Sequence, residues 1–257
     1  MRLMKKCIVV ISSLVILVSL VACKSSKAAI SKDVKDNTNV QEPVIANNCV
    51  LRACFYVDDI KLNAGTSFSV EVEGQENPIV LTALHLFGPN GGLEKDIVSS
   101  ELPNHVKGAV FSDAFTSKAC GSATKTILIP EAKPSPNVSK DIAAFVSDKN
   151  SGLSPLKIND MLPEVGETVW LAASVYGGAP EDKKLHKAVV VESTDSKLAF
   201  EYENDKLELK ATSGAPVLNS AGKVVGLNIG SMKNKGKVIG VANPCVSFNK
   251  LLKDALK

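Results

Sequence analysis

The sequence predicts an all-β globular domain, a barrel or sandwich architecture closed by one helix. Three observations carry this. Short apolar or alternating runs recur along the body, separated by turn residues, the pattern of half-buried strands in barrels and sandwiches. No β-α-β rhythm and no internal repeat is present. Helical spacing is clear only over 247–256, where Phe248, Leu251, Leu252, Ala255 and Leu256 recur on one stripe and Ser247 is placed to cap it.

The expected elements follow in chain order. Residues 1–6 are basic and residues 7–22 form an apolar run ending in Ala22, short for a spanning helix and shaped like a secretory signal. Residues 23–48 are mostly polar and without strong periodicity, the composition of a flexible tether. Residues 49–257 form the folded part. Extended segments are expected at 54–57, 67–72, 79–83, 125–129, 168–173, 188–192, 197–201, 215–218, 223–228 and 237–242. Turns are expected at G-Q-E-N-P between 67–72 and 79–83, at N-S-A-G (219–222), and at K-N-K-G before 237–242.

Composition bounds the function. The 257 residues are 45% hydrophobic and 22% charged, enough for one large domain or two small ones. That excludes collagenous, mainly disordered and disulfide-packed miniprotein classes. The net charge of +3 includes Arg2, Lys5 and Lys6 of the signal; without them the charges balance, so no nucleic-acid partner is expected. Outside the signal and Cys23, four cysteines remain: Cys49, Cys54, Cys120 and Cys245. Export makes at least one disulfide the expectation, with the pairing open. No C-x-x-C is present, the spacings do not suit zinc, and no metal or cofactor is expected.

Three polar residues stand at the ends of strand-like runs: His85 after T-A-L, Asp141 opening D-I-A-A-F, and Ser213 in A-T-S-G-A-P-V-L. A serine hydroxyl needs a base to become a nucleophile, and histidine has the right pKa. The base needs an acceptor behind it to fix its tautomer. Gly214 would let the backbone approach a reacting carbonyl, with N–H groups facing the developing oxyanion. His105 falls in a loop-like stretch. His186 lies in a basic run expected to be solvated, and Trp170 alternates as a packed strand residue.

In this order the residues resemble the trypsin-like serine peptidases, nearest the bacterial trypsin-like and HtrA-type branch. Thr82-Ala83-Leu84-His85 resembles the family's T-A-x-H, and Gly65-Thr66-Ser67-Phe68 its G-T-x-F. Asp141-Ile142-Ala143 resembles D-I-A, Ser213-Gly214 with Pro216 the nucleophile motif, and Gly222, Val224, Val225 and Gly226 the returning strand. The resemblance implies two packed antiparallel barrels, at about 49–150 and 151–257, with a C-terminal helix. It implies a His85–Asp141–Ser213 triad and oxyanion donors from Ala211 and Ser213. It implies a substrate pocket with Leu207 as floor and Asn228, Ile229 and Gly230 as wall, suited to a small or apolar side chain. Ala211 departs from the family's glycine, Thr212 from the aspartate of zymogen-activated members, and Leu84 from the usual small residue. The implied activity is endoproteolysis of proteins or peptides; the alternative is a binding or adhesion module whose oxyanion hole is unformed. At the N-terminus, Leu20-Val21-Ala22-Cys23 resembles a bacterial lipoprotein box. It implies lipid on Cys23 and a membrane-tethered, extracytoplasmic place in the cell envelope.

Overall fold

The structure, a computed structural model, describes residues 40–257. The apolar run, Cys23 and most of the expected tether lie outside the described residues.

Two closed antiparallel barrels are formed, followed by a helix. The first uses β1 (Val50–Val57), β2 (Ile60–Asn63), β3 (Ser67–Val70), β4 (Ile79–Thr82), β5 (Val106–Asp113), β6 (Ala119–Ile127) and β7 (Ala143–Ser147). The order β1-β3-β4-β7-β6-β5 closes through pairing of β5 with β1, while β2 is a hairpin arm on β1. The second uses β8 (Thr168–Ala172), β9 (Leu185–Ser193), β10 (Leu198–Tyr202), β11 (Pro216–Leu218), β12 (Val224–Asn234) and β13 (Lys237–Pro244). They close in the order β10-β13-β12-β11-β8-β9. A single helical turn, α1 (Leu102–His105), precedes β5, and α2 (Cys245–Ala255) ends the fold.

Alternation explains the barrels. Along β1, Leu51, Ala53, Phe55 and Val57 are buried while Arg52, Cys54 and Tyr56 face outward. Inside, Phe55 packs against Phe87 and Phe145 with ring centroids 4.9 and 5.3 Å away. The second barrel has its own core around Phe200 and Tyr202, 5.4 Å apart. Trp170, Leu218 and Leu227 of the second barrel, with Phe248 and Leu252 of α2, join the first-barrel core instead.

Several sequence expectations change. No disulfide is formed: Cys49, Cys54, Cys120 and Cys245 are free thiols. Each sulfur has its own surroundings. Cys49 Sγ–H donates to Ala46 O (3.0 Å), Cys245 Sγ–H to Met161 O (3.4 Å), and Cys54 faces out from β1. Burial pushes Cys49, Cys120 and Cys245 up to about 11, so they stay protonated. Ser247 is inside α2 rather than capping it; its hydroxyl donates to Asp195 O. His186 is not solvated but 4% exposed, because β9 turns it inward. Its Nε2 lies 3.0 Å from Ala173 O, and burial holds its pKa below the usual histidine value.

Residues 40–48 lie against the domain. Pro43 is buried, Val40 and Ile45 touch the core, and Glu42 pairs with Lys183 at 2.9 Å.

Candidate active site

The site is assembled from three turns at the junction of the barrels. β4 ends in Thr82, and the chain enters a short 3₁₀ turn, Leu84–Phe87. Leu84, Leu86 and Phe87 are buried in the first core and anchor that turn. His85 is thereby held at 5% exposure, with Asp141 behind it at 0%.

The His85–Asp141 contact is doubly bonded. The His85 backbone N–H donates to Asp141 Oδ1 (3.0 Å), and His85 Nδ1 lies 2.7 Å from Oδ2. The Ser135 N–H donates to the same Oδ2 at 2.9 Å. Asn243 Nδ2 donates to the Asp141 carbonyl at 3.3 Å. A buried carboxylate surrounded by donors favours Nδ1–H on the ring, leaving the Nε2 lone pair for chemistry.

Ser213 arrives from the second barrel, on the loop before β11. Thr66 pins that loop to the first barrel: its N–H donates to Ser213 O (2.8 Å) and its hydroxyl to Ala211 O (2.8 Å). Thr82 Oγ1–H in turn donates to Thr66 O at 2.7 Å. Gly214 has φ +86°, and a Cβ there would strike the Thr66 carbonyl and the Thr82 hydroxyl. The glycine after Ser213 is therefore needed for contact with the first barrel's backbone, a reason the sequence does not reveal. These contacts set the Ser213 loop against Thr82 and Ala83, one residue short of His85 in the chain.

The Ser213 hydroxyl is not bonded to His85. It donates to Ile229 O at 2.9 Å. Ile229 is the unpaired residue of a bulge in β12, where the register steps from Asn228–Ala242 to Gly230–Val241, so its carbonyl is free to accept.

Ala211 has φ +61°. The Thr212 N–H donates to Leu209 O (3.3 Å), so residues 209–212 make a hydrogen-bonded turn with Ala211 in its third position. A type II turn has positive φ there and ordinarily takes glycine. Among the described residues, neither the Ala211 nor the Ser213 N–H donates to a protein acceptor.

The expected pocket residues divide. Leu207 is 4% exposed and belongs to the second core. The Asn228 side chain is buried; its Nδ2 donates to the Thr212 carbonyl (3.0 Å) and hydroxyl oxygen (3.2 Å), and its Oδ1 is without a partner among the described residues. Gly230 has open space where a side chain would stand. Thr66 and Asn228 brace the loop across long sequence separations. The G-T-x-F motif was the available signal for Thr66; nothing in the sequence signalled Asn228's role. Among the described residues no cluster of His, Cys, Asp and Glu could hold a metal.

No family model and no curated protein matches the chain. Solved structures do. A serine endoprotease from Yersinia pestis superposes with a TM-score of 0.54 at 16% identity, over 81% of this chain and 63% of its own. A protease from M. tuberculosis in its active form superposes at 0.50 and 14% identity, over 81% of each chain. The chain thus spans under two thirds of the first of these proteins. At such identities the likeness is one of fold, and it agrees with the two closed barrels, the inter-barrel junction and the terminal helix: the chain has the fold of the trypsin-like serine proteases.

Proposed function

We propose that this chain is a serine endopeptidase acting on proteins or peptides, with Ser213 as nucleophile, His85 as base and Asp141 orienting the base. The observation that carries the reading is the buried, doubly bonded His85–Asp141 pair beside the Ser213 loop. In this reading the Ser213 hydroxyl must leave Ile229 O before it can donate to His85 Nε2. Catalytic hydrogen bonds commonly tighten only with substrate bound.

In this mechanism Ser213 Oγ attacks the scissile carbonyl as its proton passes to His85 Nε2. The oxyanion is held by the unspent N–H groups of Ala211 and Ser213. The C–N bond breaks, and His85 gives its proton to the departing amine. Water, deprotonated by His85, then releases the acyl group from Ser213. Leu207 and the β12 segment 228–230 would receive a small or apolar side chain on the acyl side. Lipidation at Cys23, in this reading, tethers the domain to the extracytoplasmic face of a bacterial membrane.

A second reading, a binding module in the same cleft, draws on one observation: the Ser213 hydroxyl is engaged by Ile229 rather than by His85. Fluorophosphonate labelling separates the two. The endopeptidase reading expects stoichiometric labelling, abolished by Ser213→Ala and His85→Ala. It expects Asp141→Asn to slow peptide cleavage about 10⁴-fold by permitting the wrong tautomer. A folded domain that neither labels nor cleaves a diverse peptide library would leave the binding module.

A further inference from the structure

Resting on the endopeptidase reading, we propose that a cavity beside Ala211 binds a carboxylate on the leaving-group side of the scissile bond, with Arg52 as its receptor. The chain has two arginines, Arg2 and Arg52, against many lysines. Arg52 is the one in the described domain. Ion pairs among the described residues are made by lysines and histidines, and Arg52 takes part in none. Its guanidinium also makes no hydrogen bond to another described residue.

This unpaired cation is half-buried and faces a cavity. On β1 it alternates outward with Cys54, and across the ladder these two stand opposite Ser112 and Val110 of β5. That outer face forms one wall of a cavity of about 300 Å³, with Asn63, Tyr176 and Ala211 on the others. The size is at the lower end of ligand-sized clefts. No acidic residue lines it. Lys210, adjacent in the chain to Ala211, holds its Nζ 5.8 Å from the ring centroid of Tyr176, a lining residue. Glu208 is not in the lining but neighbours it: its backbone accepts from the Tyr176 N–H (3.0 Å) and donates to Gly177 O (3.0 Å), and its carboxylate packs on Gly177.

The position relative to the chemistry decides the side. Ala211 is common to the oxyanion hole and the cavity. Leu207, Asn228, Ile229 and Gly230, which serve the acyl side, line none of it. The cavity thus runs from the reacting carbonyl away from β12, where the departing amine and the residues attached to it must lie. A guanidinium presents a planar fork of donors that matches a carboxylate with two parallel hydrogen bonds, which the surface lysines cannot do. The carboxylate belongs either to an Asp or Glu side chain just after the cleaved bond or to a free chain end there.

The test uses quenched fluorescent peptides identical up to the cleaved bond. The first three following positions carry Asp or Glu, or their amides Asn or Gln, each with a free or an amidated C-terminus. The proposal expects kcat/KM at least about tenfold higher for the carboxylate peptides. In Arg52→Gln that ratio falls to about one, whereas Lys253→Gln, at a distant surface, leaves it in place. A preference that follows the side chain assigns an internal acid; one that follows the free terminus assigns a chain end. Equal ratios in wild type and Arg52→Gln overturn the site and leave the peptidase reading standing. If nothing is cleaved, binding of the labelled product-side acidic peptide to Ser213→Ala decides. Arg52-dependent binding retains the site without the peptidase reading, and no such dependence removes it.

Discussion

Alanine at φ +61° is the most informative residue of the site. In left-handed space an L side chain costs about 1–2 kcal/mol, which glycine avoids. Ala211 is nevertheless held there, through the Thr66 hydroxyl on its carbonyl and the Thr212 N–H on Leu209 O. The sequence alone marks Ala211 as a departure from the expected glycine and leaves a misformed hole as the alternative to a working one. What it could not supply is the opposing hydroxyl, 145 residues away in the chain. The balance between a strained alanine and one hydrogen bond can be tested as a pair. On the endopeptidase reading, in which the Ala211 N–H already faces the oxyanion, Ala211→Gly is expected to keep kcat/KM within about threefold. Thr66→Val should lower it roughly tenfold, the population shift that 1–2 kcal/mol of released strain supplies. Adding Ala211→Gly to Thr66→Val should restore most of that loss. A double variant no better than Thr66→Val would reject the coupling.

Among the elements, β5 and β2 were the ones least visible beforehand. β2 is a four-residue arm with mostly exposed side chains, too short to show a pattern. β5 loses its period of two to irregular register against both neighbours, at Tyr56/Val57 and at Phe111/Ser112. Strands with unbroken alternation or apolar runs, such as β4 and β8, were legible at once. The end of β5 also fastens the incoming chain. Asp113, 1% exposed, accepts the Asn48 N–H (2.7 Å), the Thr116 N–H and hydroxyl (2.8 and 2.9 Å) and the Phe115 N–H (3.0 Å). Burial alone would raise its pKa, but these donors outweigh it and hold the carboxyl below its ordinary 3.8. The charged form is the one the folded state favours. Its contribution is therefore complete above the unfolded value and is lost as pH falls below about 3.8 through the folded value. Asp113→Asn, which cannot accept all four bonds on equal terms, is expected to cost about 2–3 kcal/mol at neutral pH. Its acid unfolding curve should also be shallower below pH 4. Denaturant melts of both proteins across that range check this; parallel curves would assign the acid sensitivity elsewhere.

At the scale of the molecule, the order His85, Asp141, Ser213 and the motifs around each residue carried the architecture. These motifs are local and stay readable where identity to solved neighbours falls to 14–16%. How the barrels share apolar surface was not legible, because the residues involved sit in ordinary strand and helix patterns. Trp170, Leu218 and Leu227 turn their side chains out of the second barrel's own core and into the first, and α2 covers the seam with Phe248 and Leu252. A core held in common makes partial unfolding expensive, since releasing either barrel exposes side chains of the other. The two barrels should accordingly unfold in one transition. Trp170, the only tryptophan and fully buried at the seam, reports it by fluorescence; far-ultraviolet dichroism reports the strands of both barrels. Phe248→Ala removes a large side chain from the seam and should cost about 3–5 kcal/mol. With a common core, both signals of the variant move to lower denaturant together. If Trp170 emission shifts well before the dichroism does, the barrels hold themselves up independently and the seam is only a lining between them.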